Sequence, residues 1–407
     1  MVKVATPDTE QVVQHERLIL LILAAVQFTH ILDFMIIMPL GSQFMRIFDI
    51  SPQQFSLIVS VYAFTAFAMG LGGAMFIDRF DRKHALLVSY IGFTIGTLAC
   101  ALADGYFFFL IARGLTGAFG GMLGALVLAI VGDTVPLNRR ARSMGIVMTA
   151  FSVASIAGVP AGIFLAATFS WRAPFLVVGG IAFVLAFLIF FFMPSVRKHL
   201  DDGQVQRKPL RVMGNIFKDP NQRLALLFTI MLMLGHFTII PFIAPYMQLN
   251  IGFSDFQVTY IYLIGGILSV FLLPYFGRLA DRHGHARVFT IASLFALFSI
   301  FAITNLPSVP IALALCATSS FFVVASGRNV PAMTMVTSVV KPEARGSFMS
   351  VRASVNEMGL ALSSLIAGLI ITEKGDGSLG NYQYVGYIAI VMSLVAILAA
   401  RKLKVVG

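Results

Sequence analysis

The chain has 407 residues, 58% of them hydrophobic and 12% charged, with a formal net charge of +11. A soluble domain carries about 25% charged residues, so this composition, with a mean hydropathy of +0.90, excludes an ordinary water-soluble enzyme and points to a chain dissolved in lipid. The two cysteines, Cys100 and Cys316, both lie in apolar runs, which argues against a disulfide framework, and no Cys/His cluster has zinc spacing. There is no G-x-x-x-x-G-K-[ST] loop, so the chain lacks the P-loop means of using ATP.

A membrane crossing needs about 20 apolar residues to cover roughly 30 Å of hydrocarbon. Twelve such runs follow one another, at about 18–40, 54–77, 84–104, 106–131, 143–167, 172–194, 222–247, 256–279, 286–305, 308–330, 346–372 and 382–400. The first is too long for a signal-peptide core and lacks a small-residue cleavage site, so it reads as a retained helix. The longest polar break, 195–221, divides the spans six and six. The expected organisation is a tail (1–17), a six-helix bundle (18–194), a linker (195–221), a second six-helix bundle (222–400) and a short tail (401–407).

Charge sets the expected orientation. With the N-terminus in the cytoplasm, only Arg46, Arg172 and Lys374 fall outside, and Arg113 and Arg328 lie within spans; the other Lys and Arg fall in or beside cytoplasmic segments. This is the positive-inside bias of an inner-membrane protein with both termini cytoplasmic. The excess positive charge faces anionic headgroups, and nothing suggests nucleic acid.

Within the first span, "HILDFMIIMPL" sets a carboxylate, Asp33, in the middle of an apolar run. The span enters near Arg17, so Asp33 lies about 10 Å from its outer end. The fourth span runs the other way, which brings Arg113 about 10 Å below the same surface. A lone intramembrane charge is costly and needs a partner or water, so Asp33 and Arg113 are expected to face each other, either as a proton-coupling pair or as a permanent packing pair. His30, one turn before Asp33, shares its helical face. It could bond to Asp33, relay protons or simply pack. The second span is followed by "DRFDRK" and the eighth by "GRLADRHGHAR", placing Asp78 and Asp281 203 residues apart. The same offset lays Asp33-Phe34-Met35-Ile36-Ile37 on His236-Phe237-Thr238-Ile239-Ile240. The two pentads share Phe, Ile and Ile, which indicates a duplicated six-helix unit. Such repeats place a substrate site at their interface near the bilayer midplane. His236 is then the counterpart of Asp33, and either takes part in substrate or proton handling or bonds a backbone carbonyl. Glu357, after Asn356 in the eleventh span, is the other plainly intramembrane carboxylate. It is expected to meet a cationic cargo, or to pair with Arg352 or Arg328. Arg328 and Asn329 are expected at the inner end of the tenth span, where snorkelling suffices. Gly158-x-x-x-Gly162, with Pro160 between, gives the fifth span a small face and a kink compatible with a hinge.

The loop after the second span resembles the G-x-x-x-D-R-x-G-R-[RK] signature of the major facilitator superfamily. Asp78, Arg79, Arg82 and Lys83 match, while Ala74 and Asp81 replace the two glycines. The second copy keeps Gly277, Asp281, Arg282 and Gly284 but has His285 for the usual Arg. "RGLTG" (113–117) resembles the fourth-helix motif of its proton-driven members, "GVPAG" (158–162) a variant of its fifth-helix antiporter motif, in which Gly-Pro is normally contiguous, and "LDFMIIMPL" the first-helix motif of its 12-helix drug:proton antiporter branch; Trp171-Arg172 fits the join between the fifth and sixth spans. The resemblance covers the whole chain. It implies an all-α membrane protein of twelve helices in two pseudo-symmetric bundles, whose first and fourth helices in each half line a central cavity. It also implies that Asp78 caps the eleventh span and Arg82 pairs with Asp133, latching the halves when the protein opens outward, with Asp281 and Arg282 mirroring this against the fifth span. The implied function is that of a secondary transporter and not an enzyme, with proton-coupled efflux of amphipathic small molecules or drugs by alternating access. Sugar or metabolite efflux and proton-linked uptake are alternatives, and a non-transporting receptor is a remote one. The proton is the coupling ion and no cofactor is implied. Asp33, Arg113, His30, His236 and Glu357 are the coupling candidates. Expected cavity liners are Met35, Met38, Tyr62, Phe64, Met148, Phe151, Phe237, Tyr260, Tyr262 and Asn356, since the 19 Met and 38 Phe supply adaptable apolar surface. The chain is expected to work as a monomer in lipid.

Overall fold

The computed structural model describes residues 7–76, 79–197, 209–341 and 344–406. Among them, twelve helices are long and apolar enough to cross a membrane: α1 (Glu16–Ile36), α2 (Pro52–Gly73), α3 (Arg82–Ala101), α4 (Tyr106–Thr134), α5 (Asn138–Thr168), α6 (Ala173–Phe192), α7 (Pro220–Ile251), α8 (Asp255–His283), α9 (His285–Thr304), α10 (Ile311–Thr337), α11 (Arg345–Ile370) and α12 (Tyr382–Lys402).

Local chemistry marks their ends and bends. The Asp219 side chain accepts from the Asn221 and Gln222 amides, with Pro220 in the first turn, and so starts α7. Ser254 and Gln257 form a reciprocal capping box at the head of α8. In α5 a π-turn, Ala154–Gly158, ends two residues before Pro160. Proline has no N–H to return to the preceding turn, and the wider turn absorbs the mismatch. Gly158 and Gly162 pack on Leu32 and Ile36 of α1, so the small face seats α5 on α1. The first span stops as a helix at Ile36, then turns through 37–40 into a short helix, Gly41–Phe48, absent from the sequence reading. Helix α7 breaks at a matching place in the repeat, between Phe237 and Ile240.

The two halves repeat the same packing. In the first, α2 packs on α4, α3 on α4 and α6, and α1 on α5 and α6; in the second, α8 packs on α10, α9 on α10 and α12, and α7 on α11 and α12. The halves meet along two seams, α2 with α11 and α5 with α8. Both ends of the described chain and the described parts of the connection, 193–197 and 209–219, lie on one side, here the linker face. On the opposite face lie the helix Gly41–Phe48 and a two-stranded hairpin, Thr372–Glu373 with Leu379–Gly380, also unforeseen. There Phe44, Phe48, Phe109 and Trp171 pack with ring centroids 5.0–6.0 Å apart, clamping the short helix to the first half.

The apolar core shows which side is closed. One cluster at the opposite face draws on both halves, including Ile37, Met38 and Phe55 with Phe242, Ile243 and Ile371. Toward the linker face the core splits into one cluster from the first half and another from the second. Polar bonds tie the closed end: Gln53 donates to the Ile371 carbonyl at 3.0 Å, Ser364 to the Ser56 carbonyl at 3.1 Å, and Ser42 to Gln248 at 2.5 Å. The chain is therefore sealed at the opposite face and parted toward the linker face.

Gly368 lets α11 lie against α2 in this seal, because a Cβ there would run into the Ser56 hydroxyl. Gly368→Val should loosen the seal at a cost of about 1–3 kcal/mol. In a chain with Cys100 and Cys316 removed, Ser364→Cys should then react faster with an impermeant maleimide applied at the opposite face. Unchanged labelling would show that the seam is held elsewhere.

Candidate functional site

Asp33 lies in the last turn of α1 and Arg113 in the second turn of α4. An Arg113 Nη1–H donates to Asp33 Oδ2 at 2.7 Å, and both side chains are 0% exposed. The other carboxylate oxygen accepts from Thr97 on α3 at 3.1 Å. The Arg113 guanidinium lies 4.4 Å from the centre of the Tyr62 ring on α2, a cation–π contact that is strongest away from water. Four helices thus converge on one ion pair. Gly117 permits the convergence, since a Cβ there would strike the Tyr62 backbone. Sequence reasoning found the pair but missed Thr97, because a threonine in a helix usually bonds its own backbone. His30 makes no hydrogen bond to Asp33; its ring packs edge-on against Phe93 at 6.0 Å.

The residue after Asp33 reaches the other half. The Phe34 ring lies 5.2 Å from Tyr62 and 6.1 Å from Phe237, so the two phenylalanines matched by the 203-residue offset meet across the interface. Met35 touches Ser155 of α5, whose hydroxyl points at its sulfur at 3.8 Å. Phe151 and Met148 lie one and two turns below Ser155 on that face, both exposed where the halves part. Other expected liners are placed differently. Met38 and Tyr262 are buried in the sealed cluster. Phe64 on α2 is exposed about half a turn from buried Tyr62, and Tyr260 on α8 is exposed about half a turn from buried Tyr262.

In the second half, His236 Nδ1 bonds the Leu232 carbonyl at 2.6 Å, so this nitrogen is satisfied by its own helix. Arg328 is not at the membrane surface. Helix α10 continues through Pro331 to Thr337, which leaves Arg328 deep and 1% exposed. It donates to the Gly235 carbonyl at 3.0 Å and Ser393 Oγ at 3.1 Å, bracing α10 on α7 and α12. Glu357 pairs with neither Arg328 nor Arg352 among the described ion pairs. It is half-buried on α11 beside Asn356.

At the linker face, Arg82 Nε–H donates to Asp133 Oδ2 at 3.3 Å, the expected pair. Asp78 lies outside the described residues, and Arg79 is exposed beside it. Asp281 is 75% exposed and pairs with His285 at 3.6 Å, and Arg282 is exposed; neither is placed against α5. Asp81, which stands where the loop signature has glycine, caps α3 through the Lys83 amide and also holds the first linker residues: it accepts from Ser195 Oγ, the Val196 amide at 3.0 Å and Arg197 Nε at 3.1 Å. Burial pushes its carboxyl up, but the bonds from Ser195, Val196, Lys83 and Arg197 outweigh this and hold it well below the usual carboxylate range.

The description of the Major Facilitator Superfamily matches residues 23–322 and again 225–406. The chain belongs to this superfamily. Among relatives, it is 26% identical over 352 residues to the MFS-type transporter YwfA of Bacillus subtilis (strain 168), covering 85% of this chain and 84% of that one. It is 24% identical over 346 residues to the "Probable sugar efflux transporter" of Mannheimia succiniciproducens, covering 83% and 82%. Solved structures share the fold: the D-xylose-proton symporter (TM-score 0.77, 15% identity, 95% and 97% covered) and a bacterial homolog of the human lysosomal transporter Spinster, inward-facing and unoccupied (TM-score 0.74, 17% identity, 95% and 97% covered). The chain is a multi-pass membrane carrier and not an enzyme.

Two outcomes follow for this facilitator. Arg113→Leu leaves Asp33 buried without its cation and should cost about 3–5 kcal/mol, while the Asp33→Leu/Arg113→Leu double variant should cost much less; thermal unfolding in detergent reads both. Asp81 contributes stability above the ordinary aspartate range, and this is lost only as the pH falls through its lowered folded value. A nitroxide at Pro194 should therefore stay immobile at mildly acidic pH and become mobile in Asp81→Asn.

Proposed function

We propose that the protein is a proton-coupled exporter of amphipathic small molecules, working by alternating access between the two six-helix halves, with the linker face and both termini in the cytoplasm. The carrying observation is the fully buried Asp33–Arg113 pair. Stripping water from two charges is costly, and a carrier gains from that cost when one partner changes charge during the cycle. Aspartate can accept a proton; arginine stays charged and supplies the fixed counter-charge.

The geometry gives the proton something to act on. The ion pair joins the end of α1 to α4. The adjacent Phe34 makes the contact with Phe237 of the other half. Protonating Asp33 removes its attraction for Arg113, frees the last turn of α1 and alters that cross-half contact. With the linker face cytoplasmic, the described chain is inward-facing with its coupling pair closed, the arrangement expected after proton release to the cytoplasm and before cargo is taken up. Phe34, Met35, Phe151 and Phe237 offer apolar, adaptable surface, with Asn356 and Glu357 as the polar handles. The sugar-efflux relative supports a second reading, efflux of sugars or other metabolites, in the same inner-membrane setting. The few carboxamides and hydroxyls among the residues named here favour amphipathic cargo.

The test is a substrate panel in proteoliposomes with an imposed pH gradient. Wild type should concentrate at least one compound against its gradient. Asp33→Asn should still exchange that compound at equal concentrations but lose uphill transport, and Arg113→Ala should lose it as well. An Asp33→Asn protein that concentrates cargo at the wild-type rate would return the pair to a packing role.

A further inference from the structure

Asp33 poses a problem of access that rests on the coupling role proposed above. The halves part toward the linker face, yet the carboxylate is 0% exposed. A proton leaving it needs a route through protein. The α1 face below Asp33 carries His30 one turn away and Gln27 two turns away, about 4.5 and 9 Å along the axis. Opposite them α4 presents Gly120, against which Tyr62 and His30 pack closely, and Gly124, where Gln27 leaves more room.

The polar atoms along this line lack protein partners. Gln27 Oε1, His30 Nδ1, Tyr62 Oη, and Arg113 Nε and Nη2 are all buried and unbonded among the described residues. Each such group costs about 1–3 kcal/mol if left dry. Five of them within one inter-helix cleft form the polar, multi-partner setting in which buried water is stable. Gly120 sits in their midst: a Cβ there would approach Tyr62 Oη to 2.8 Å, and His30 Cδ2 and Nε2 to 3.1 and 3.3 Å. At Gly124 the nearest atom to such a Cβ is Gln27 Nε2 at 3.9 Å.

We propose that the cleft between α1 and α4 holds a short file of water, walled by Gln27, His30 and Tyr62, the last two seated on Gly120, with room beside Gly124, that carries protons between Asp33 and the linker face. The Asp33 carboxyl gives its proton to the nearest water. The excess proton passes by successive O–H exchange to His30 and out past Gln27, and the carboxylate left behind closes on Arg113. One proton leaves and one ion pair forms. The other charged or titratable groups acting on this point are Arg113 from α4, Tyr62 from α2, Cys100 from α3 and, at longer range, Glu357 from α11.

The probe is heavy water. In the full-length protein in lipid at acidic pH, the carboxyl C=O stretch of protonated Asp33 is the infrared band missing in Asp33→Asn, and its deuterium shift after a jump to D2O times proton access. In Gly120→Ala, and independently in His30→Leu and Gln27→Leu, the shift should slow by about a hundredfold, the scale on which a positioned proton relay acts. Thermal unfolding identifies any variant that fails to fold, and the folded ones decide. Deuteration at the wild-type rate in every folded variant would overturn the file. If no band is lost in Asp33→Asn at any pH, Asp33 does not titrate and the coupling reading fails first, a result distinct from unchanged exchange rates.

Discussion

The structure turns on one ion pair that has no water. Asp33 and Arg113 would each be expelled from hydrocarbon alone. Together, with Thr97 on the second carboxylate oxygen and the Tyr62 ring under the guanidinium, they are held. The demand for such close partners dictates much of the first half. Helix α4 needs glycine where it crosses α2, α1 must end just beyond the carboxylate, and α3 must turn a hydroxyl inward. The second half keeps the same packing plan with different chemistry, since His236 bonds its own helix and Arg328 is held by a carbonyl and a hydroxyl. A duplicated scaffold has thus diverged into one half built around an ion pair and one braced by neutral acceptors.

Much of this was legible in the residues. Hydropathy gave twelve spans, the basic residues gave a sidedness, and the 203-residue offset foretold that Phe34 and Phe237 occupy equivalent places. Depth arithmetic brought Asp33 and Arg113 together because rise per residue is fixed in a helix. Rotation was harder. Phe64 and Tyr62 are two residues apart and face opposite ways, and only the neighbouring helices decide which way is inward. Arg328 was misplaced because the tenth span was ended at 330, whereas the helix continues through Pro331 to Thr337. The hairpin at 372–380 is too short to leave a hydrophobic period, while the helix at 41–48 has one in Phe44, Ile47 and Phe48 that lies just past the end of the first apolar run.

The departures from the loop signature are informative too. A glycine at position 81 could not cap α3 through a side chain or hold Ser195 and Arg197. With aspartate there, the start of the connection is fixed to the first half, while Ile216 packs into the core of the second. Each half therefore owns one end of the segment that joins them.

The closed ion pair has an electrical consequence. With Asp33 ionised and paired, the site carries no net charge, so reorienting the empty carrier, or one loaded with neutral cargo, moves no charge across the bilayer at this point. With Asp33 protonated, Arg113 is uncompensated and the same movement carries one positive charge, worth about 2.3 kcal/mol per 100 mV. In the proton-coupled export proposed above, a membrane potential negative inside would act on only one limb of the cycle. It would draw the protonated carrier inward and add to the pH gradient for neutral cargo, whereas a cationic cargo would feel the same field opposing its exit.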